Sequence, residues 1–250
     1  MLKDIKAVAF DLDGTIYYGS KIIDGANEAI SHAKSKGIKV FFLTNNSTKT
    51  RMQIYEKLIG MGILCDYEEV FTSGYIATLY AKKEKLNNIY IFGSKNLISE
   101  FHDIGIDVVD ESQAENLLIG YDPAFTYESL TKALHVALKA KKIIACNKEK
   151  HFPGENAMRL PGCGAMVAPI ELCANRKSDV VIGKPSTLML DVICNVNHLS
   201  EKEILMVGDT YESDIAMAKD KGCPSVLISE NETFDDTICI KQIKELIDLL

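Results

Sequence analysis

Four short stretches of this chain carry acids, hydroxyls, amides or a lysine at spacings that suit phosphate or metal chemistry. In Asp11-Leu12-Asp13-Gly14-Thr15, directly after Val8-Ala9-Phe10, two carboxylates stand two residues apart. At a strand end such residues project to the same side, so both can face one site. Asp11, ionised at neutral pH, is then a nucleophile or a metal ligand. A second carboxylate beside it, Asp13, can hold a proton and suits a general acid. Gly14 permits the tight turn out of the strand. The plain alternative is a strand-end turn capped by Asp and Thr. A calcium loop is disfavoured, because the D-x-D-x-D-G spacing and the twelfth-position Glu are missing.

Thr44-Asn45-Asn46-Ser47 follows the apolar run ending at Leu43 and precedes a helical pattern. A hydroxyl and free backbone amides there can cradle phosphate oxygens, or the same residues can cap the helix. Lys184 lies in Gly183-Lys184-Pro185 after Val180–Ile182. Preceding a proline, it is biased toward an extended turn. There it neutralises a phosphate or restrains a nucleophile's charge; otherwise it is a solvated surface lysine. The surrounding residues are not a Walker A loop. Asp209 follows Val207-Gly208, with Asp214 five positions on. One carboxylate at a strand end and another at a helix start can complete a site for Mg²⁺, which prefers oxygen ligands and keeps several waters. Helix capping is the ordinary use of Asp209.

The elements that must position these residues recur as an apolar run, a polar turn and an amphipathic segment. Strands are expected at Ile5–Phe10, Ile38–Leu43, Val180–Ile182 and Ile204–Val207. Helices are expected at Ala26–Lys36, Thr50–Gly60, Ser186–Asn195 and Ser213–Lys221, the first and last stopped by Gly37 and Gly222. Continuous apolar runs alternating with helices indicate a parallel sheet covered on both faces. Between Lys82 and Arg176 the theme is less regular. Strands are expected at Ile89–Phe92, Val108–Val109 and Ile143–Cys146, and helices at Asn96–Ile104, Tyr127–Lys139 and Ala168–Ala174. A Gly- and Pro-rich loop spans His151–Gly164. The block reads as a second α/β unit inserted into the first, with one continuous ten-strand sheet as the alternative. In open parallel sheets ligands bind at the carboxyl ends of strands, where all four chemical stretches fall.

With 250 residues, 47% of them hydrophobic and 25% charged, the chain is an ordinary globular one with enough length for a sizeable core. Its 28 Lys+Arg against 35 Asp+Glu give a net charge of −7, which argues against gripping nucleic acid by charge. The longest apolar runs, such as Val40–Leu43, are far shorter than a membrane helix needs. The N-terminal run Met1-Leu2-Lys3-Asp4 enters a strand pattern at once, so no signal peptide is expected. Seven scattered cysteines without a C-x-x-C pair form neither a disulfide framework nor a zinc site, and a cytoplasmic enzyme with reduced thiols is expected.

In that order, D-L-D-G-T, T-N-N, G-K-P and G-D-x-x-x-x-D resemble the four motifs of the haloacid dehalogenase superfamily of phosphohydrolases. Asp11 through Gly19, Phe125-Thr126-Tyr127 and the stretches Phe152-Pro153 and Leu160–Gly164 resemble its NagD-like and 4-nitrophenylphosphatase subfamily, class IIA with a C2-type cap. The resemblance implies a Rossmann-like parallel-sheet core, residues 1–81 and 177–250, with an inserted α/β cap at 82–176. It implies that Asp11 attacks phosphorus to form an aspartyl-phosphate and that Asp13 protonates the leaving alcohol, then activates water. Thr44, Asn45 and Asn46 bind phosphate oxygens, and Lys184 balances charge. Mg²⁺ is held by Asp11, Asp209 and the backbone carbonyl of Asp13, with Asp214 acting from behind the ligands. Halide-removing members lack an acid two residues after the nucleophile, and P-type ATPases need membrane spans, so a phosphatase is favoured.

The expected substrate is a small phosphorylated metabolite: a nucleotide, a sugar phosphate, phosphoglycolate or 4-nitrophenyl phosphate. No nucleic-acid polymer or membrane is expected as partner; related enzymes often pair as homodimers through the cap. Relatives commonly carry a cap turn like Thr-Asn-Pro-Asp, whereas this chain reads Cys146-Asn147-Lys148-Glu149. Asn147–His151 is therefore the candidate specificity segment, with a solvated charged loop as its alternative. Competing functions are a phospho-accepting receiver-like module, disfavoured by chain length and the Asp11/Asp13 pair, and an inactive scaffold of the same fold.

Overall fold

The computed structural model describes residues 2, 4–153, 158–231 and 233–250. Residues 154–157 of the Gly- and Pro-rich loop, and Met1 and Lys3 of the N-terminal run, lie outside the described residues. In chain order the elements are β1 (Ala7–Asp11), β2 (Tyr17–Tyr18), β3 (Lys21–Ile22), α1 (Ala26–Ser35), β4 (Lys39–Thr44), α2 (Arg51–Gly60), β5 (Val70–Thr72) and α3 (Ser73–Lys83). Next come β6 (Ile89–Phe92), α4 (Lys95–Asp103), β7 (Asn116–Ile119), α5 (Tyr127–Ala137), β8 (Lys142–Ala145), β9 (His151–Pro153), β10 (Arg159–Pro161), α6 (Gly164–Cys173) and β11 (Val180–Val181). The chain ends with α7 (Leu188–Asn197), β12 (Ile204–Gly208), α8 (Ala216–Lys221), β13 (Ser225–Ile228) and β14 (Ile238–Ile240). None of the described helices is long and apolar enough to cross a membrane.

Two compact units emerge. One comprises Met1–Thr44, Ile54–Phe71 and Lys184–Leu250; the other comprises Asn45–Gln53 and Thr72–Gly183. The first is built on a six-stranded sheet in the order β14-β13-β12-β1-β4-β5. β1 lies inside it, parallel to β12 on one side and to β4 on the other. All five residues of β1 and of β12 are buried, as expected for strands covered on both faces. Val8, Phe10, Val40, Phe42, Leu205 and Val207 join Ile30, Ile54 and Leu58 from the helices in one apolar core. From β1 the chain steps through β4 to β5 on one side, then later through β12, β13 and β14 on the other. The strand order therefore reverses beside β1, and a crevice at such a reversal is where an open α/β sheet binds ligands.

The second unit has its own parallel sheet, in the order β11-β8-β7-β6. Leu117, Ile119, Ile143 and Ala145 pack there with Ala133 and Val136 of α5 and Met166 and Ile170 of α6. Three sequence expectations change here. Val180–Val181, read as a strand of the larger sheet, pairs with β8 in the smaller one. A strand only two residues long carries no pattern that names its partner. The expected loop over His151–Gly164 contains an antiparallel pair, with Leu160 opposite Phe152. Val108–Val109 contributes only an isolated bridge, from Val108 to Ile89.

Within the second unit, the Arg51 amide at the start of α2 donates to Glu100 Oε1 of α4 at 2.8 Å. Glu100 is buried, and its Oε2 has no hydrogen-bond partner among the described residues. Burial pushes this carboxyl from 4.5 up to about 7, against the pull of the Arg51 amide and guanidinium. Between those values the folded chain keeps a proton that the unfolded chain has lost, so stability falls as pH rises through this window and the full penalty stands above it. Glu100→Gln should therefore gain stability relative to wild type as pH rises from 5 to 8, by about 3 kcal/mol at most. Denaturant titrations at the two pH values check this; an equal difference at both would contradict it.

Candidate active site

The sheet register brings three of the four chemical stretches to one edge. Asp11 ends β1 opposite Leu43, which places Thr44 one residue further along β4. On the other side Phe10 pairs with Val207, so Gly208 and Asp209 leave β12 beside Asp11. Lys184 reaches the same place from a different route, since it directly follows the smaller sheet's edge strand through Gly183 rather than ending a strand of the larger sheet. The Lys184–Pro185 peptide is cis.

Lys184 is not a solvated surface lysine: it is 3% exposed. Its ammonium donates to Asp11 Oδ1 through a very short contact and to Asp214 Oδ1 at 2.6 Å. The other oxygen of Asp214 accepts from the Thr210 amide at 3.1 Å, across the π-helical turn Tyr211–Ile215 that carries it. Oxygens of Asp11, Asp209 and Asp214 all lie within 4.8 Å of one another. Two glycines make this crowding sterically possible. A Cβ on Gly14, whose φ is +98°, would lie 2.1 Å from Asp209 Oδ2, and one on Gly208 would lie 2.4 Å from the Asp214 carboxyl.

One ammonium does not balance three carboxylates. Burial pushes the Asp11 carboxyl well up; Lys184 opposes that shift, and the Asp214 and Asp209 charges add to it. Burial and then Asp214 push Asp209 up to about 6. Lys184 is pushed upward despite its burial, by Asp11 and then Asp214, and stays charged. The sequence reading of Asp11 as simply ionised thus needs positive charge nearby. An all-oxygen donor set under this electrostatic pressure suits a hard divalent cation.

The remaining expected residues are placed differently. Asp13 is exposed, and its side chain is not among the three clustered carboxylates. Tyr17 pairs with it through an isolated bridge and through the Gly14 amide, which donates to the Tyr17 carbonyl at 2.9 Å. Burial and then the charges of Asp13 and Asp11 push the Tyr17 phenol upward, and the Lys57 ammonium sits 3.5 Å from its ring centroid. Neither contact was expected: Tyr17 reads as part of an apolar run and Lys57 as one charge of the helix Arg51–Gly60. Thr44 is buried at its strand end.

In the second unit, Asn45 Nδ2 donates to Glu149 Oε1 at 2.9 Å. Asn46 Oδ1 accepts from the Thr48 and Lys49 amides at 3.0 and 2.9 Å, closing the turn before α2. The Asn46 side chain therefore has the local capping use that was its ordinary alternative. Glu149 and Asn147, read as specificity residues, both bond to Asn45.

A profile of haloacid dehalogenase-like hydrolases matches residues 8–107, and a second profile, HAD-hydrolase-like, matches residues 181–242. Sugar-phosphatase AraL of Bacillus subtilis is 34% identical over 223 residues, 88% of this chain and 82% of that protein. An acid sugar phosphatase of Staphylococcus haemolyticus is 31% identical over 93% of this chain and 88% of its own. Among solved structures, a p-nitrophenyl phosphatase from Archaeoglobus fulgidus superposes with a TM-score of 0.93 at 28% identity, covering 99% of this chain and 100% of that one. A 4-nitrophenylphosphatase from Thermotoga maritima gives 0.92 at 30% identity, covering 99% and 98%.

Removing one partner from a buried charge network leaves the others uncompensated, at a cost of about 3–5 kcal/mol. Lys184→Met is expected to lose about that much at neutral pH with chelator present. Adding Asp214→Asn to it should restore part of the loss, because one of the stranded carboxylates is then gone. Chemical denaturation of the two single variants and the double variant measures the coupling, and strict additivity would contradict it.

Proposed function

The chain belongs to the haloacid dehalogenase-like hydrolases, and from that premise we propose that it is a Mg²⁺-dependent phosphatase of small-metabolite phosphomonoesters that works through an aspartyl-phosphate on Asp11. The observation that carries this reading is the buried Lys184 ammonium held between Asp11 and Asp214, with Asp209 alongside. A carboxylate oxygen of Asp11 attacks phosphorus, and the bond from phosphorus to the ester oxygen breaks. Asp13 gives its proton to the departing alkoxide. It then takes a proton from the water that attacks the phosphoryl group, and orthophosphate leaves as Asp11 is regenerated. Lys184 orients the nucleophile and favours its ionised form, opposing the effect of burial. Thr44 and the amides of the Asn45–Asn46 turn hold phosphoryl oxygens; the side chains of both asparagines are engaged elsewhere, so backbone donors carry that role.

Asp11, Asp209 and the Asp13 carbonyl hold the cation in this reading. Asp214 stands behind them, since Lys184 and the Thr210 amide already occupy its two oxygens. When bound, Mg²⁺ offsets the charge on the phosphoryl oxygens and on the crowded carboxylates. In such a reaction there is little covalent work for the protein beyond positioning and neutralisation.

The names of the relatives put sugar phosphates and 4-nitrophenyl phosphate first among candidate substrates, ahead of nucleotides and phosphoglycolate. All seven cysteines are free thiols, which suits the reducing cytoplasm. Association of two copies through the second unit remains part of the proposal by family likeness alone.

Phosphate release from these esters near neutral pH should require Mg²⁺ and stop with chelator. Asp11→Asn should fall below detection, and Asp13→Asn should lose roughly 10²- to 10⁴-fold in kcat/KM, the usual weight of a general acid–base. A phospho-protein lasting minutes without turnover would favour the receiver-like reading. No release from any ester would overturn the phosphatase.

A further inference from the structure

Resting on the reading of the Asn45–Asn46 turn as a phosphate cradle, we propose that Asn147 and Glu149 are positioning residues for that turn rather than selectors of the leaving group. Side chains of the second unit hold it and the residues just after it. The Asn45 carbonyl accepts from Asn147 Nδ2 and from Ser73 Oγ, each at 2.7 Å, and the Asn45 side chain donates to Glu149 Oε1 at 2.9 Å. Ser73 Oγ also donates to the Asn46 carbonyl at 3.1 Å. Beyond these, the Ser47 hydroxyl accepts from the Tyr121 amide at 2.9 Å, and Asn96 Nδ2 donates to the Thr48 carbonyl at 2.8 Å. Asn45 and Asn147 are both buried.

The consequence follows from peptide geometry. In a trans peptide the carbonyl of one residue and the amide of the next point in opposite directions. Two donors that fix the Asn45 carbonyl therefore fix the direction of the Asn46 amide, a donor the phosphate cradle uses. Glu149 adds a charge-assisted bond from the side, which holds Asn45 against rotation.

Both bracing residues are themselves held. Asn147 Oδ1 accepts from the Glu149 amide at 3.1 Å, and the Glu149 carbonyl accepts from the Gly164 amide at 2.8 Å. Close backbone approach makes this possible. A Cβ on Gly162 would lie 2.4 Å from the Glu149 carbonyl oxygen, and one on Gly183 would lie 2.2 Å from Asn45 Oδ1. A loop packed this tightly on the cradle is suited to orienting the group common to all substrates, the phosphate.

The test separates a brace from a selector by using a ligand with no leaving group. Calorimetric binding of inorganic phosphate in Mg²⁺ buffer is measured for wild type, Glu149→Ala, Glu149→Gln and Asn147→Ala, alongside KM and kcat for several esters. A brace predicts that Glu149→Ala and Asn147→Ala weaken phosphate by about tenfold, the usual weight of a hydrogen bond to a charged or buried group. KM should rise by a similar factor for every ester. Gln keeps an acceptor oxygen in the same place, so Glu149→Gln should stay within about threefold of wild type, which general misfolding would not allow. Unchanged phosphate affinity in the alanine variants, or KM changes that depend on the ester, would overturn the proposal. Equal loss in Ala and Gln would also overturn it. A wild-type chain that binds phosphate but hydrolyses no ester would instead count against the phosphatase reading alone.

Discussion

A single buried ammonium organises the charge at the centre of this molecule. Lys184 is enclosed between two carboxylates, with a third close by, in a place where an isolated ion would be costly. Such a group is tolerated where its partners are held in place, and here strand pairing and a local turn hold them. Asp11 is locked by strand pairing on both sides of β1. Asp214 is locked by its bond to the Thr210 amide within a π-helical turn. The glycines at 14 and 208 leave the volume the carboxylates need. Replacing either would move a charge, so the constraint reaches from electrostatics back into the choice of backbone.

Much of this was legible in the amino-acid order, and for identifiable reasons. β1, β4, β6, β8 and β12 stand out because strands buried on both faces must be continuous apolar runs, and each is followed by a polar turn. β7 is harder to see because its apolar run, Leu117–Ile119, is only three residues long and opens on Asn116. The edge strands β5 and β14 and their inner neighbour β13 are short and are not followed by a chemically distinctive turn, so nothing in the order of residues singles them out. The helix expected over Ser213–Lys221 opens instead as a π-helical turn, a local widening that propensity does not encode.

The acids and the lysine were legible because their chemistry is rare at strand ends and four such ends coincided. Their partners were less so. Glu149 holds Asn45 from 104 residues away along the chain, and no periodicity links the two positions. Lys148-Glu149 looked like a solvated or substrate-facing charged pair. In the fold Lys148 bonds to Glu171 at 2.6 Å and Glu149 to Asn45, so both charges are used internally. Charged residues in a loop name their partners only once the topology has brought distant turns together.

The two carboxylates of the first stretch show how two positions in sequence become two environments. Asp11 is 6% exposed and its charge faces an ammonium; Asp13, two residues on, is exposed. A nucleophile gains from dehydration, because water on a carboxylate oxygen must be shed before that oxygen can reach phosphorus. An acid that serves first a leaving alcohol and then a water molecule gains from access to solvent, where its proton can be replaced. Asp11 is the last residue of its buried strand, whereas Asp13 lies beyond the strand end, where the Gly14 turn closes with its amide on the carbonyl of the buried Tyr17. With its phenol held neutral by burial and by both acids, Tyr17 adds no competing charge. In the proposed reaction the same strand end offers one carboxylate for bond formation and one for proton exchange, distinguished by burial and by the Lys184 contact that Asp11 makes.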